Sequence, residues 1–304
     1  MPSLRYHRLD VFTDRPFAGN PLAVFPEADG LDPATMQRIA REMNLSETVF
    51  CQRPTAPDAT VRMRIFTTDR ELPLAGHPVV GTHFLLASLG RYELRDGSNM
   101  VQAQLGVGTL PAEIVVEGGV VREVLMTQRT PTFAAPFDDL DLVAEAIGLP
   151  KAVLCPGDLP VCLVDTGVPW LLVPIVDLRS LGAIAPNFAA CAELAVRVGS
   201  DMFYAFTQDT LDEGCTARAR HVWFGSVTPG EDPVTGSAAG CLASYLVQHG
   251  VILAAPTVEI RIEQGVEIGR PGIVDAFVDA DGTRVKRVRV GGRAVLMGEG
   301  ELRW

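Results

Sequence analysis

Two apolar runs in the chain have helical spacing and stop at the same kind of residue. They are THFLLASL and LASYLVQH, which are directly followed by Gly90 and Gly250. A glycine just past the last apolar position is typical of a helix C-terminus. Each run comes after a turn that contains proline and glycine, so the pattern predicts two buried helices that open near Gly76 and Gly236.

The turns before these helices are themselves related. ELPLAGHP at 71–78 and EDPVTGSA at 231–238 share Glu, Pro and Gly in the same register. Other blocks match in the same chain order: GNPLAVF with GVPWLLV, SETVF with SDMFY, and Gln104, Gly108 and Pro111 with Gln264, Gly269 and Pro271. Matches in one order along the chain indicate two similar halves of about 150 residues each.

Each half is predicted to consist mainly of strands, with helices between them. The segment Pro33–Met43 is predicted as a helix, because Asp32 is a good N-cap and proline is favoured at the first helical position. Strands are predicted at 6–12, 48–51, 161–165, 202–206, 284–290 and 294–299. The two halves are therefore expected to share one order of elements.

Composition narrows the range of partners. The chain has 304 residues, 47% of them hydrophobic, and a formal net charge of -11. An acidic protein repels phosphate backbones, so we expect no nucleic-acid partner.

We expect neither a signal peptide nor a membrane span, because no apolar run is long enough. The six cysteines are scattered, which favours reduced thiols in a cytoplasmic protein, and no His or Cys spacing predicts a metal site.

The two glycine turns are the first candidates for chemistry. A helix N-terminus presents unpaired N–H groups and about half a positive charge, which suits a carboxylate or a phosphate. Two pseudo-symmetric halves would aim two such helix ends into one cleft. Ordinary helix capping is the alternative, because Asp232 and Ser237 are both favoured residue types at a helix start.

The two turns differ in chemical type at two positions. Asp232 stands where the first half has Leu72, and Ser237 stands where it has His77. Repeats that serve packing alone would keep similar residue types, so we interpret this divergence as functional. The other histidines are expected to be structural or surface residues: His7, His83, His221 and His249.

Glu47 is the next candidate, in the segment NLSETVF between a helix and an apolar strand. A carboxyl group at the mouth of a strand, flanked by Leu45 and Val49, would be partly desolvated, which suits proton transfer. An exposed loop glutamate is the alternative, and the counterpart in the repeat, Asp201, is also acidic. Asn20, in AGNP, is a candidate either for orienting a substrate or for satisfying a turn.

Together these segments resemble the PhzF family of phenazine-biosynthesis-like isomerases. The motifs that carry the resemblance are DVFT at 10–13, FAGNPLAVF at 17–25, NLSET at 44–48, LAGHP at 74–78, EDPVTGSAAG at 231–240 and QGVEIGRP at 264–271. They run in the family's order over nearly the whole chain, and no central motif position departs from it.

The resemblance implies an α+β fold of the diaminopimelate epimerase-like type. In that fold, two pseudo-symmetric domains each wrap a curved, mostly antiparallel sheet around a central helix. The first domain is expected at 1–128, completed by C-terminal strands at 285–304, and the second at 129–284. In this family the active cleft lies between the halves, and homodimers are common.

The resemblance also implies roles for the candidate residues. Glu47 is expected to be the acid/base that moves a proton, assisted by His77 and Asp232. Substrate contacts are expected from Asn20, Ser46, Gly76, Gly236 and Ser237. The expected reaction is a cofactor-independent isomerisation of a small carboxylate-bearing substrate, as when a proton moves between ring carbons of a dihydro-hydroxyanthranilate.

Two other functions stay open at this point. Epimerases of this fold use two cysteines, one beside each glycine turn, but the corresponding positions here are Ala75 and Thr235. A two-cysteine racemase is therefore disfavoured, although an amino-acid racemase or epimerase is still an alternative. The other alternative is a non-catalytic protein whose cleft binds a small carboxylate.

Overall fold

The computed structural model describes residues 2–223, 230–253 and 256–304. The chain divides into two compact units: unit 1 comprises Met1–Thr127 and Gly291–Trp304, and unit 2 comprises Gln128–Val290. Within the described ranges, no helix is both long enough and apolar enough to cross a membrane.

Unit 1 is built from nine strands and two helices. The strands are β1 (Ser3–Val11), β2 (Asn20–Phe25), β3 (Glu47–Gln52), β4 (Val61–Phe66), β5 (Glu71–Leu72), β6 (Gly97–Leu105), β7 (Gly108–Glu117), β8 (Val120–Thr127) and the C-terminal β18 (Ala294–Arg303). The helices are α1 (Pro33–Met43) and α2 (Gly76–Ser88). Helix α2 contacts β1, β2, β3, β7 and β8, and nine of its 13 residues are buried, so it is the central helix of this unit.

Helix α1 has the bounds that its sequence predicts. The Asp32 side chain accepts a hydrogen bond from the Thr35 N–H at 3.0 Å, and proline occupies the first turn. Asn44 ends the helix in the left-handed conformation, with φ 50°. Its buried face packs on an aromatic cluster that includes Phe25, Phe50 and Phe66. The capping signals were sufficient here because they act within a few residues.

Unit 2 repeats this plan. Its strands are β9 (Thr132–Phe133), β10 (Cys162–Asp165), β11 (Pro169–Pro174), β12 (Phe203–Thr207), β13 (Ala217–Trp223), β14 (Gly230–Asp232), β15 (Thr257–Gln264), β16 (Gly272–Asp281) and β17 (Arg284–Gly292). Its helices are α3 (Leu140–Ile147), α4 (Leu178–Gly182), α5 (Phe188–Val198) and α6 (Gly236–Gln248), with short 3-10 turns at Lys151–Val153 and Pro156–Asp158. Eleven of the 13 residues of α6 are buried.

The strands of the two units pair in the same order and sense. In unit 1, β1–β2 is antiparallel, β2–β3 parallel, β3–β4 antiparallel, β4–β6 parallel and β6–β7 antiparallel. In unit 2, the corresponding pairs β10–β11, β11–β12, β12–β13, β13–β15 and β15–β16 have the same senses. This confirms the predicted duplication and the α+β class.

Two arginines mark equivalent positions in the two sheets. Arg64 of β4 donates two hydrogen bonds to Glu71, at 2.7 and 2.6 Å. Arg220 of β13 donates two to Glu231, at 3.0 and 2.7 Å. Each glutamate begins a glycine turn, so this shared ion pair fastens the turn to the sheet. Glu231 is therefore the structural member of the acidic pair Glu231–Asp232.

The strand registers correct the counterpart that the sequence indicated for Glu47. Phe50 lies opposite the first of these arginines, whereas Ala205 lies opposite the second. Met202 is therefore the counterpart of Glu47, where the sequence blocks indicated Asp201. The SETVF and SDMFY blocks were matched by residue type alone, and a shift of one residue in a strand turns every side chain to the other face.

Candidate active site

Glu47 is the first residue of β3, and it is placed there by the end of α1. The left-handed Asn44 reverses the chain, and the strand begins three residues later. Leu22 of β2 lies opposite Glu47 in the parallel pair. The Glu47 side chain is 17% exposed, so its carboxyl group is accessible but largely withdrawn from water.

Asn20 and Ser46 lie at the same end of these strands. Asn20 is the first residue of β2 and is fully buried. Its Oδ1 atom accepts a hydrogen bond from the exposed Ser46 hydroxyl at 3.3 Å. The structure thus brings together three of the predicted site residues of unit 1: Asn20, Ser46 and Glu47.

His77 completes this group from the central helix. It is the second residue of α2, and its Nε2 atom lies 3.4 Å from Oε2 of Glu47. Burial lowers the pKa of His77 to about 3, so the imidazole is neutral near pH 7. A neutral imidazole can donate one hydrogen bond and accept one. The pair can therefore exchange a proton with a ligand without first separating two opposite charges.

The start of α2 is not capped by a side chain. Gly76 is the first residue of the helix, and Ala75 at the N-cap makes no side-chain hydrogen bond. The N–H groups of a first turn have no partner inside the helix. Gly106 supports this turn from behind, because a Cβ atom there would lie 2.7 Å from Cα of Pro73. The turn is therefore closely packed and presents N–H groups close to His77.

In unit 2, Asp232 belongs to a buried hydrogen-bonded cluster. Thr235, the N-cap of α6, donates its hydroxyl hydrogen to Oδ2 of Asp232. The Gln264 Nε2 atom donates to the backbone carbonyl of Asp232 at 2.7 Å and to Oγ1 of Thr235 at 3.1 Å. The Gln264 Oε1 atom accepts from the Thr235 N–H at 3.0 Å and from the Tyr204 hydroxyl at 2.8 Å.

Gly236 and Ser237 occupy the first two positions of α6. The Gly236 carbonyl accepts a hydrogen bond from Nε2 of Gln128 at 3.1 Å. Ser237 is half-buried and stands in α6 where His77 stands in α2. A Cβ atom at Gly240 would lie 1.9 Å from Oε1 of Gln128, so this glycine permits the close approach of the Gln128 side chain.

His221, expected to be a structural or surface residue, lies beside the Asp232 cluster. It stands opposite Asp232 in the β13–β14 pair, and its Nδ1 atom is 3.0 Å from the Phe203 carbonyl oxygen. Burial lowers the pKa of His221, against the opposing charges of Asp232 and Glu231. His83 does have a structural contact, since its Nδ1 atom lies 2.9 Å from the Tyr92 hydroxyl.

The cysteines do not form a reactive group in this structure. All six are free thiols. Cys241, within α6, is fully buried, and burial raises the pKa of its thiol to about 12. Its Sγ atom lies 3.3 Å from Oγ1 of Thr166, so it packs inside the unit. In the described ranges, no three His, Cys, Asp or Glu side chains are placed to hold a metal ion.

Three polar residues beside Asp232 were missed by sequence reasoning: Tyr204, Thr235 and Gln264. Gln264 was noticed as the start of a family motif and as a match to Gln104. The strand registers correct that match: Arg62 lies opposite Gln104 and its counterpart Arg218 lies opposite Glu263, so Leu105 is the counterpart of Gln264. Thr235 was noticed only as a position without a thiol. The pairing of β12, β13 and β15 brings these residues together from far apart in the chain, and no local pattern signals such a cluster.

Comparison with known proteins places this chain among isomerases. The chain is 35% identical over 306 residues to the trans-2,3-dihydro-3-hydroxyanthranilate isomerase of Pseudomonas fluorescens, covering 98% of both chains. A PhzF-family phenazine biosynthesis protein of Bacillus anthracis has a similar structure, with TM-score 0.87, 29% identity and full coverage of both chains. A hydroxyproline epimerase from Agrobacterium vitis shares the fold, with TM-score 0.66, 13% identity and coverage of 99% of this chain and 91% of that one.

The family model described as phenazine biosynthesis-like protein, PhzC-PhzF, matches residues 9–300. The chain therefore belongs to the PhzF family, and it is an isomerase. The resemblance found in the sequence motifs is confirmed, as is the epimerase-like fold.

Proposed function

We propose that Glu47 moves a proton between two carbons of a small substrate that carries a carboxylate. The observation that carries this proposal is the 3.4 Å approach of Glu47 Oε2 to His77 Nε2, next to the first turn of α2. Proton transfer at carbon needs a positioned base and groups that stabilise the charge that develops. Glu47 supplies the first, and the imidazole and helix N–H groups supply the second.

The step balances without an external reactant. The Glu47 carboxylate takes a proton from a substrate carbon, and the electron pair of the broken C–H bond moves into the adjacent π system. The Glu47 carboxylic acid exchanges its proton with solvent and then delivers a proton to another carbon of that system. One group can serve both carbons if the substrate is held nearly rigid. Nothing is oxidised or reduced overall, so we propose that the enzyme uses no cofactor.

His77, Asn20 and Ser46 are proposed to position the substrate and stabilise its charge. His77 is neutral because burial lowers its pKa to about 3, so it can donate a hydrogen bond to an oxygen that becomes negative. Asn20 is fixed by full burial and by its bond to Ser46. We assign Asp232, Gly236 and Ser237 to the same function on the strength of the family motif that they form.

The substrate of the relative is the first compound to test. That isomerase of Pseudomonas fluorescens is named for trans-2,3-dihydro-3-hydroxyanthranilate. The compound has the features that the proposal requires, namely a carboxylate, a removable C–H proton and an adjacent double bond. We propose it, or a carboxylate with the same three features, as the substrate.

The test follows the reaction by NMR in D₂O. The protein should shift a double bond of trans-2,3-dihydro-3-hydroxyanthranilate or of a related unsaturated carboxylate, with solvent deuterium appearing at a carbon of the π system. A racemase would instead introduce deuterium at a stereocentre without moving a double bond. A binding protein would do neither, and either of these results would overturn the proposal.

We further propose that the protein is a cytoplasmic homodimer without a nucleic-acid partner. The net charge of -11 disfavours binding to phosphate backbones, and six free thiols suit a reducing compartment. Sedimentation at micromolar concentration should give twice the chain mass of 32.6 kDa.

A further inference from the structure

One row of side chains is apolar in unit 1 and polar in unit 2. In unit 1, Val49 lies opposite Ile65, and Ile65 lies opposite Leu72, across β3, β4 and β5. In unit 2, His221 lies opposite Asp232 across β13 and β14. At the same position in the sheet, unit 1 therefore has aliphatic side chains and unit 2 has side chains that can form hydrogen bonds. In unit 2 this position directly precedes the glycine turn.

Tyr204 continues the polar row on β12. By the strand registers it is the counterpart of Val49, since Ala205 corresponds to Phe50. Tyr204 is fully buried, and its hydroxyl donates to Oε1 of Gln264 at 2.8 Å. Burying a hydroxyl group costs free energy unless the group forms a hydrogen bond. A tyrosine at the position that valine occupies in unit 1 therefore needs a hydrogen-bond partner, which Gln264 provides.

Every hydrogen-bonding position of the Gln264 carboxamide has a partner. Its oxygen accepts from the Tyr204 hydroxyl and the Thr235 N–H, and its nitrogen donates to the Asp232 carbonyl and the Thr235 hydroxyl oxygen. An amide has two lone pairs and two N–H hydrogens. Because the Thr235 N–H can only donate and the Asp232 carbonyl can only accept, the amide has one orientation. Gln264 itself is fully buried.

The first half lacks this arrangement, because the strand registers place the buried, apolar Leu105 where unit 2 has Gln264. Gln104 corresponds to Glu263. Its Oε1 atom accepts from the N–H groups of Thr55 and Ala56, at 2.8 and 3.2 Å, as the Glu263 carboxylate accepts from those of Leu211 and Asp212. The N-cap residue of α2 is Ala75, which has no hydroxyl to pass a hydrogen bond onward. The cluster therefore belongs to the half that carries Asp232 and is not a requirement of the fold.

We propose that Tyr204, Gln264 and Thr235 form a positioning unit that holds the Asp232 carboxylate in one orientation for catalysis. This inference rests on the proposed function, in which Asp232 assists the reaction. The hydrogen bonds run in one direction: Gln264 donates to the Thr235 hydroxyl oxygen, and the Thr235 hydroxyl donates to Oδ2 of Asp232. A carboxylate held by a donor that is itself fixed needs no reorganisation during the reaction.

The decisive variant is Thr235→Val, which keeps the β-branched shape and removes only the hydroxyl. Loss of one hydrogen bond to a charged group should lower kcat by about tenfold to a hundredfold. The KM should change little, because no contact to substrate is removed. The acidic limb of the pH–rate profile should move to higher pH, since the carboxylate loses a donor to its charged form. Thr235→Ser should restore all three properties.

Two further variants separate positioning from general damage. Tyr204→Phe removes one of the four bonds of Gln264 and should lower kcat by less than Thr235→Val does. Gln104→Met breaks the bonds of a glutamine that holds a loop of unit 1, outside the positioning unit, and should leave kcat and the pH profile unchanged. If Thr235→Val and Thr235→Ser lose the same activity, or if Gln104→Met matches them, the positioning unit is refuted.

A second readout does not depend on turnover. The imidazole ¹⁵N signals of His221, which stands opposite Asp232, should shift in Thr235→Val and return in Thr235→Ser. If the wild-type protein catalyses no proton exchange, the proposed function has failed, and these signals still decide whether the unit orients Asp232. Signals that stay unchanged in Thr235→Val would overturn the inference even in an active enzyme.

Discussion

The Nε2 atom of His77 lies 3.4 Å from the Oε2 atom of Glu47. This contact connects the start of the central helix α2 with the start of strand β3. His77 follows the closely packed turn before α2, and Glu47 follows the left-handed end of α1. The backbone therefore places both residues at this point. A neutral donor and a partly desolvated carboxyl group are thus placed where one substrate atom can meet both.

Replacing His77 with glutamine should slow the reaction without unfolding the protein. Glutamine keeps a hydrogen-bond donor but has a different reach, so kcat should fall by about tenfold to a hundredfold. The imidazole of the wild type should stay neutral from pH 8 to pH 5, because burial lowers its pKa to about 3. A ¹⁵N NMR titration of His77 with its midpoint near the ordinary value would contradict this assignment.

Stability should decrease as the pH is lowered below about 6.5. Burial lowers the pKa of His77 and of His83 to about 3, so the unfolded chain binds protons in this range and the folded chain does not. Each histidine then removes about 1.4 kcal/mol of unfolding free energy per pH unit between pH 6 and pH 5. Urea unfolding of His83→Gln should show a slope that is smaller by about 1.4 kcal/mol per pH unit, because one group is gone. His77, His221 and His249, whose pKa burial also lowers, keep their contributions. Equal slopes would show that His83 is protonated in the fold.

The ion pairs beneath the two turns should differ in importance. Arg220–Glu231 is buried, with the Glu231 side chain 6% exposed, whereas Glu71 of the matching pair is 41% exposed. Removing one partner of a buried pair leaves an uncompensated charge, so Glu231→Gln should cost about 3–5 kcal/mol. Glu71→Gln is the matched control and should cost about 1 kcal/mol or less. Similar losses in the two variants would contradict the structural role of Glu231.

Gly265 should be far less replaceable than its neighbour Gly269. Both have positive φ, 84° and 71°, but only Gly265 is crowded: a Cβ atom would lie 2.4 Å from the Arg270 carbonyl oxygen and 2.5 Å from that of Pro233. Gly269→Ala should cost about 1–2 kcal/mol from backbone strain alone. Gly265→Ala should lower the free energy of unfolding by clearly more, and it should disturb the turn that follows Asp232. Thermal unfolding of the two variants compares them directly.

The sequence predicted the features that depend on local signals. Helix α1 followed from Asp32 and proline, and the two central helices followed from their apolar runs and the glycines beyond them. The duplication was visible because the turns before those helices kept Glu, Pro and Gly. The α+β class and the family followed from motifs that extend over nearly the whole chain.

Features that depend on distant strand pairing could not be predicted. The correspondence of Glu47 with Met202 needed the registers of β3–β4 and β12–β13. The cluster around Gln264 needed three strands and a helix start to come together. The approach of Glu47 to His77 was implied only by the family resemblance, since nothing within either motif gives the distance between them.

The central claim is that Glu47 is the group that moves the proton, and its most direct measurement is solvent-deuterium exchange into the isomerised substrate. Glu47→Gln should fold like the wild type and lose about a thousandfold or more of the exchange rate, as expected for loss of a general base. Asp201→Asn removes the acid that the repeat suggested as its counterpart and should exchange at the wild-type rate. Exchange by Glu47→Gln within about threefold of the wild type would contradict the account, because such a change is smaller than the effect of one hydrogen bond to a charged group.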